Sequence, residues 1–145
     1  MDYSDSMTPT LMRMIAEVQG EIFEYAEKKG YNMNSFILQY MSSDFCNREM
    51  DSEYSFFHLK PAEVCFPYIK KEIIPCLNNE EEFEDVIWVG MMYRYLVFYL
   101  GISSKELIKL ISPKALDDVA SEYELYNIED AIKEIGEKIK KRTFQ

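Results

Sequence analysis

The longest run of hydrophobic positions in the chain extends from Phe83 to Leu100 (FEDVIWVGMMYRYLVFYL). When this run is placed on a helix, apolar side chains occupy nearly every face, whereas a helix at the surface keeps a polar half. Gly90 lies in its middle, where a glycine costs about 1 kcal/mol relative to alanine and suggests a close approach by another helix. We therefore expect a buried central helix at about residues 83–100, with other helices around it.

Apolar residues recur at three- and four-residue intervals in most other segments, which predicts further amphipathic helices. Polar residues that satisfy the free N–H groups of a first helical turn precede each of these segments. The predicted caps are Thr8, Asn32 or Asn34, Ser42 or Ser43, Asn79, Ser103, Ser112 and Asn127. Gly30 and Gly101 predict the ends of the first and the central helix, and Glu106 completes a capping box with Ser103.

Two segments lack a continuous helical pattern. Residues 54–60 are rich in aromatic side chains, and we expect an extended link or a strand-like edge there. Pro61, Pro67 and Pro75 follow, and proline interrupts or kinks the interior of a helix. The spacing therefore predicts a turn at Pro61 and a helix from Pro67 through Ile74.

The length of the chain fits one domain with a single core. It has 145 residues, of which 48% are hydrophobic and 29% charged, as in globular proteins. The sequence thus predicts an all-α fold: a compact multi-helix single domain over residues 1–145, arranged around the buried central helix. We expect residues 1–8 and 142–145 to be frayed.

The charge of the chain is negative and unevenly distributed. The formal net charge is −10, and residues 1–100 contain 17 acidic against 8 basic side chains. Binding to nucleic-acid phosphates relies on clustered Lys and Arg, so it is disfavoured for this part of the chain. The charge favours a partner protein with a basic surface, although it also serves solubility alone. The sequence leaves a homo-oligomer open.

Neither a membrane span nor a secretory signal is expected. Arg94 interrupts the apolar run, and the acidic flank before it has the wrong charge for a membrane boundary. The N-terminal sequence MDYSDSMTPT has no positive region and no apolar region, as a secretory signal would require. The expected location is the cytoplasm.

The three cysteines and the single histidine do not form a recognisable site. Cys46, Cys65, Cys76 and His58 could supply a zinc site with three thiolates and one imidazole, but their spacing is long and unequal, without a CxxC pair. Reduced structural thiols and a packed histidine are the simpler interpretation. No catalytic motif is present, and we expect a non-enzymatic protein without a metal or cofactor.

Three groups of residues are candidates for contact with a partner. A guanidinium in an apolar run needs a counter-charge, so Arg94 either pairs with an acid from another helix or anchors an anion or a partner beside two tyrosines. The acids before the central helix either face its dipole or form a contact surface that imitates phosphates. The candidate residues are Arg94, Tyr93, Tyr95, Glu80, Glu81, Glu82, Glu84, Asp85, Tyr54, Phe56 and Phe57.

A helix-turn-helix-like regulator is an alternative. The sequence LGISSKELIKLISPKAL, residues 100–116, has a suitable spacing of helix ends and caps. Only Lys105, Lys109 and Lys114 would face phosphates, however, and the Arg, Asn or Gln side chains that usually read bases are missing.

Several strings in the chain resemble a known group of proteins. WVGMMYRY, GISSK, YNIEDAI and SFILQYMSSDFCNREMDSEYS are similar to segments of small bacterial proteins that are encoded beside toxin-like genes. The resemblance implies an antitoxin-like or accessory role through protein contact. Our preferred hypothesis is an acidic module that neutralises a partner protein, and the main alternative is a phage-type inhibitor of a host defence nuclease.

Overall fold

The computed structural model describes residues 7–76 and 82–143, and these residues form a helical bundle without strands. The α-helices are α1 (Pro9–Lys28), α2 (Met33–Ser42), α3 (Ala62–Lys70), α4 (Val86–Leu100), α5 (Ser104–Leu110), α6 (Pro113–Val119) and α7 (Ile128–Thr143). A π-helical segment, Phe45–Met50, follows α2, and a short 3₁₀ turn, Ala120–Tyr123, follows α6. The prediction of an all-α fold is confirmed.

Helix α4 is the central helix, and it packs most extensively against α1. At the crossing, a Cβ atom on Gly90 would lie 2.9 Å from the carbonyl oxygen of Gln19 and 3.0 Å from the Cα of Gly20. The backbones of the two helices therefore approach as closely as the prediction from Gly90 requires. Most of α4 is buried, but Ile87 and Tyr99 near its ends reach the surface.

The central helix begins at Val86, three residues later than predicted. The side chain of Asp85 accepts the N–H of Trp88 at 3.0 Å and acts as the N-cap. The buried carboxylate of Asp117 accepts the backbone N–H groups of Glu84 and Asp85 at 2.9 and 3.0 Å. These bonds hold the chain at Glu84 and Asp85 outside the helix, and Glu82 also precedes it. Acids in the first helical turn were expected, and this corrects that prediction.

Most predicted helix ends are confirmed. Thr8 and Asn32 accept the first free N–H groups of α1 and α2. Ser103 and Glu106 form the predicted capping box, and Gly101 has the left-handed φ of 66° that ends α4. The predicted cap Asn79 lies outside the described residues.

The segment around α3 differs from its prediction. The helix begins at Ala62 and includes Pro67 in its interior, whereas a helix starting at Pro67 was expected. Both Pro67 and Glu63 lie on the exposed side of α3, where a carbonyl that loses its hydrogen bond to a proline can be hydrated. Residues 56–59 form turns, where an extended link or a strand-like edge was expected over residues 54–60.

The prediction of frayed ends falls mostly on residues 1–6 and 144–145, which lie outside the described residues. Of the neighbouring residues, Met7 is buried against the core, and α7 continues to Thr143. No single helix in the described ranges is long and apolar enough to cross a bilayer. Helices α4 and α5 together reach the length and composition, but they meet at an angle of 108°.

Candidate functional site

The guanidinium of Arg94 lies at the centre of a buried polar network. Its Nη1 donates to Oδ1 of Asp51 at 2.6 Å and to the carbonyl of Met50 at 3.2 Å. Its Nε and Nη2 both donate to Oε1 of Gln19, at 3.2 and 2.8 Å. Arg94 is fully buried, and these acceptors come from α1 and from the end of the π-helical segment. The side chain therefore joins parts of the chain that are far apart in sequence.

Further residues complete this network. Nη2 of Arg94 also donates to Sγ of Cys46 at 3.2 Å and to Oγ of Ser104 at 3.3 Å. The Asp51 carboxylate accepts both the hydroxyl and the backbone N–H of Ser104, at 2.6 and 2.8 Å. Gln19 accepts the hydroxyl of Tyr40 at 2.9 Å. We call the set of Gln19, Tyr40, Cys46, Asp51, Arg94 and Ser104 the arginine network.

The arginine network is structural in its geometry. Burial alone lowers the pKa of Arg94, but the Cys46 sulfur and the Asp51 carboxylate raise it, and the net pKa lies above its ordinary value. Arg94 is therefore a cation whose charge is met inside the protein. Of the two alternatives for this residue, the structure favours the internal ion pair. The expectation that Arg94 contacts a partner is corrected, because no part of its side chain reaches solvent.

The two tyrosines beside Arg94 point to different places. Tyr93 is fully buried and donates its hydroxyl to the carbonyl of Ile111 at 2.8 Å, so it also cannot contact a partner. Tyr95 lines a groove between α1, α4 and α7. Neighbours in the sequence thus have separate roles, because a helix turns by about 100° at each residue.

The thiols of Cys46 and Cys65 and the imidazole of His58 are buried packing groups, whereas Cys76 is exposed. Burial raises the pKa of the Cys46 thiol to about 11, although Arg94 opposes this shift. His58 contacts the carbonyl of Glu49 through Nε2 at 3.1 Å, and burial together with Arg94 lowers its pKa. A carbonyl only accepts, so the neutral ring donates from Nε2. Within residues 7–76 and 82–143, no group of three acidic, Cys or His residues is arranged to hold a metal.

The acidic candidates are only partly available for contact. Glu80 and Glu81 lie outside the described residues. Asp85 caps α4, whereas the side chains of Glu82 and Glu84 are exposed. Lys114 donates to the carbonyl of Glu82 at 3.0 Å, which holds this segment against α6.

The exposed rings of Phe56 and Tyr68 both contact Phe57, and Tyr54 and Leu59 are exposed in the same segment of the chain. Tyr54 and Phe56 are 73% and 67% exposed, and Leu59 and Tyr68 are about half exposed. We call these four residues the aromatic patch. Phe57 lies half-buried beneath it, with ring centroids 5.2 Å from Phe56 and 4.9 Å from Tyr68. The structure therefore adds Tyr68, which sequence reasoning missed, to two of the predicted residues.

The base of the aromatic patch is held by hydrogen bonds. Ser55 donates to the Glu49 carboxylate at 2.8 Å and accepts the N–H of Phe57 at 3.0 Å. Ser52 donates to the carbonyl of Tyr54 at 2.7 Å. Because these bonds already order the turns, the binding of a partner costs less conformational entropy than it would for a flexible segment. The aromatic patch is thus presented in an ordered conformation.

Lysines adjoin the aromatic patch. Nζ of Lys60 lies 4.5 Å from the centroid of the Phe56 ring, and Nζ of Lys71 lies 5.4 Å from that of Tyr68. Residues 54–71 contain three lysines against one glutamate, in a chain whose net charge is −10. The patch therefore combines apolar area with local positive charge.

No family model, curated protein or solved structure matches this chain.

Proposed function

We propose that this protein is a non-enzymatic binding module that neutralises a partner protein in an antitoxin-like manner and contacts it through the aromatic patch. The observation that carries the proposal is the joint exposure of Tyr54, Phe56, Leu59 and Tyr68 on an ordered base. The polar side chains of the arginine network, which could otherwise take part in a reaction, form hydrogen bonds with one another.

Aromatic side chains are the residues that anchor protein interfaces. A few of them, at the centre of a contact, typically carry most of the binding free energy, and truncating one costs about 2 kcal/mol or more. Tyr and Phe bring large areas at little cost in side-chain entropy. A cluster of them that faces water therefore supports a role in association.

The charges indicate the kind of partner. A net charge of −10 accelerates the encounter with a partner of positive net charge. At the contact itself, the partner should present apolar side chains to the patch, with hydrogen-bond acceptors or carboxylates opposite Lys60 and Lys71. Such complementarity adds more to the specificity and the association rate than to the affinity.

The two alternatives have weaker support. Imitation of phosphates needs several outward carboxylates, but Asp85 is used as a helix cap and the carboxylate of Asp117 is buried against backbone N–H groups. Reading of DNA by the α5–α6 region was expected to use Lys114, which instead binds Asp117 and Asp118, each at 3.4 Å. The aromatic patch remains the better-supported contact.

The experiment is capture of the partner from the native host with a tagged copy of the full chain, followed by identification of the bound species by mass. Expressed alone, the identified protein should inhibit growth, and the wild-type chain should relieve the inhibition. The variants Phe56→Ser and Tyr68→Ser should each weaken the purified complex by about thirtyfold or more. Relief of growth inhibition should be lost in parallel.

A matched control is available elsewhere on the surface. Leu125 is 93% exposed and lies outside the aromatic patch, so Leu125→Ser should leave the affinity unchanged. Thermal unfolding of all three variants verifies that the fold is kept. Recovery of a small molecule or a metal without any protein would refute the proposal, and so would a complex that tolerates both patch variants.

A further inference from the structure

A small pocket lies between the C-terminal parts of α1 and α3. We call it the α1–α3 pocket; it has a volume of about 210 Å³ and opens to solvent. An apolar cavity of about 150 Å³ holds a benzene molecule, whereas sites for larger ligands measure roughly 300–1,000 Å³. The pocket therefore has the size for one aromatic side chain. Its lining residues are Tyr25, Lys29, Tyr31, Phe66, Pro67 and Lys70.

The aromatic walls of this pocket are held by the core. The ring centroid of the buried Phe66 lies 4.9 Å from that of Tyr25 and 5.7 Å from that of Tyr31. Behind them, the ring of Phe36 lies 5.6 Å from Tyr31 and 6.1 Å from Phe66. Gly30, with a left-handed φ of 89°, turns the chain directly before Tyr31. The walls are thus formed before anything binds, which lowers the entropic cost of binding.

Two lysines supply positive charge at the same pocket. Nζ of Lys29 lies 5.0 Å from the centroid of the Tyr25 ring, and Lys70 lines the pocket from α3. Neither lysine forms an ion pair with a residue of 7–76 or 82–143, and no acidic side chain of these ranges lines the pocket. A basic segment would meet two like charges here, whereas an acidic segment would be complementary.

The acids of α1 close to Lys29 face other groups. Glu24 pairs with Lys28 at 3.7 Å. Burial raises the pKa of Glu27, and so do the nearby carboxylates of Glu24 and Asp117. Since Asp117 belongs to α6, the side chain of Glu27 lies towards α6.

The acids close to Lys70 are also engaged or distant. The carboxylate of Glu72 accepts two backbone N–H groups next to the π-helical segment, at 2.7 and 2.8 Å. Glu63 lies in the first turn of α3, about 10 Å along the helix axis from Lys70. An incoming carboxylate can therefore reach the lysines of the pocket.

Successive residues of α3 connect the pocket to the aromatic patch. Pro67 and Lys70 line the pocket, whereas Tyr68 belongs to the patch and Lys71 lies over its ring. All four side chains are exposed. A partner that covers the patch can thus extend a segment into the pocket.

We propose that the α1–α3 pocket receives an aromatic side chain from an acidic segment of the partner protein, with the neighbouring carboxylates of that segment facing Lys29 and Lys70. The incoming ring adds aromatic contacts to those of Phe66 and the two tyrosines. The inference rests on the proposed function in assigning the segment to the partner that contacts the aromatic patch. The chemistry of the pocket can be tested without that partner.

The test is a titration of the full chain, at low ionic strength, with the peptide acetyl-EEFEE-amide. Two analogues are titrated in parallel: acetyl-QQFQQ-amide lacks the charges, and acetyl-EEGEE-amide lacks the ring. The backbone amide signals of Tyr31 and Lys70, observed by NMR, should shift with the first peptide. We expect it to bind at least about tenfold more tightly than either analogue.

Variants of the pocket lysines should weaken this binding. Lys29→Gln and Lys70→Gln should each raise the Kd of acetyl-EEFEE-amide about threefold, as for the loss of one exposed ion pair. Lys105→Gln and Lys109→Gln remove the same charge from exposed lysines outside the pocket and should leave this Kd nearly unchanged. The proposal is overturned if no signals shift at up to about 5 mM peptide, if either analogue binds equally well, or if the control variants weaken binding as much.

The partner complex separates this inference from the proposed function. The double variant Lys29→Gln/Lys70→Gln should raise the Kd of the complex about tenfold. If Phe56→Ser weakens the complex and the double variant does not, the pocket inference fails while the proposed function stands. If the peptides behave as expected but no protein is captured, the chemistry of the pocket stands and only the proposed function fails.

Discussion

Breaking the buried ion pair between Arg94 and Asp51 should strongly destabilise the protein, and Asp51→Asn tests this. The carboxylate accepts hydrogen bonds from Arg94 and from both donors of Ser104, at 2.6 to 2.8 Å. An amide of the same shape removes the negative charge and turns one acceptor into a donor. Arg94 would then remain buried without its counter-charge.

The expected loss is set by the cost of an uncompensated buried charge. Removing one partner of a buried pair typically costs about 3–5 kcal/mol, out of a total of about 5–15 kcal/mol for a domain. The variant should therefore still fold. In urea, with a slope of about 2 kcal/mol per molar, its midpoint should fall by about 1.5–2.5 M.

A double-mutant cycle with Arg94→Met isolates the pair. Once the arginine is gone, the carboxylate of Asp51 no longer serves a buried cation, so the double variant should be more stable than the sum of the two losses predicts. The coupling should be about 1–3 kcal/mol, as followed by circular dichroism in urea. Glu17→Gln, which breaks an exposed pair with Arg13, should cost less than about 0.5 kcal/mol. Additive losses of Asp51→Asn and Arg94→Met would refute the account of the arginine network.

Two further predictions concern the core. Gly90→Ala would place a methyl group 2.9 Å from a carbonyl oxygen of α1. Although alanine has the better helix propensity, this clash should lower the midpoint of urea unfolding by an amount equivalent to about 1–3 kcal/mol. An unchanged or higher midpoint would contradict the close crossing. In thiol labelling at pH 8, Cys76 should react in the native protein, whereas Cys46 and Cys65 should react only in denaturant. The reason is that both are buried, and burial raises the pKa of each thiol to about 11. Rapid labelling of all three thiols in the native state would refute this.

The interior of the bundle explains why the arginine network could be anticipated only in part. Arg94 was recognisable because a charge in an apolar run must be paired. Gln19 carried a signal as well, since it lies on the stripe that also holds Ile15 and Ile22 and is therefore directed inward. Nothing in the local sequence distinguished Asp51 from the other acids of the chain, because its partner lies 43 residues away.

The candidate surfaces were predictable to a smaller degree. The sequence singled out Tyr54 and Phe56 by their aromatic character. Tyr68 was missed because α3 was expected to begin at Pro67 rather than at Ala62. With that start, the contact between Tyr68 and Phe57 could not be recognised. The groove lined by Tyr95 could not have been foreseen, because three helices that are far apart in the sequence meet there.

The sequence by itself determined most of the helices, most of their caps and the central position of α4. These features follow from apolar periodicity and from side chains that bond to N–H groups a few residues away, so both partners lie in the same short window. Only the tertiary structure decided which polar groups form hydrogen bonds and ion pairs with one another and which remain available to a ligand or a partner. That outcome depends on contacts between α1, α4, α5 and α7, whose free energy is fixed by burial and distance and leaves no local pattern in the chain.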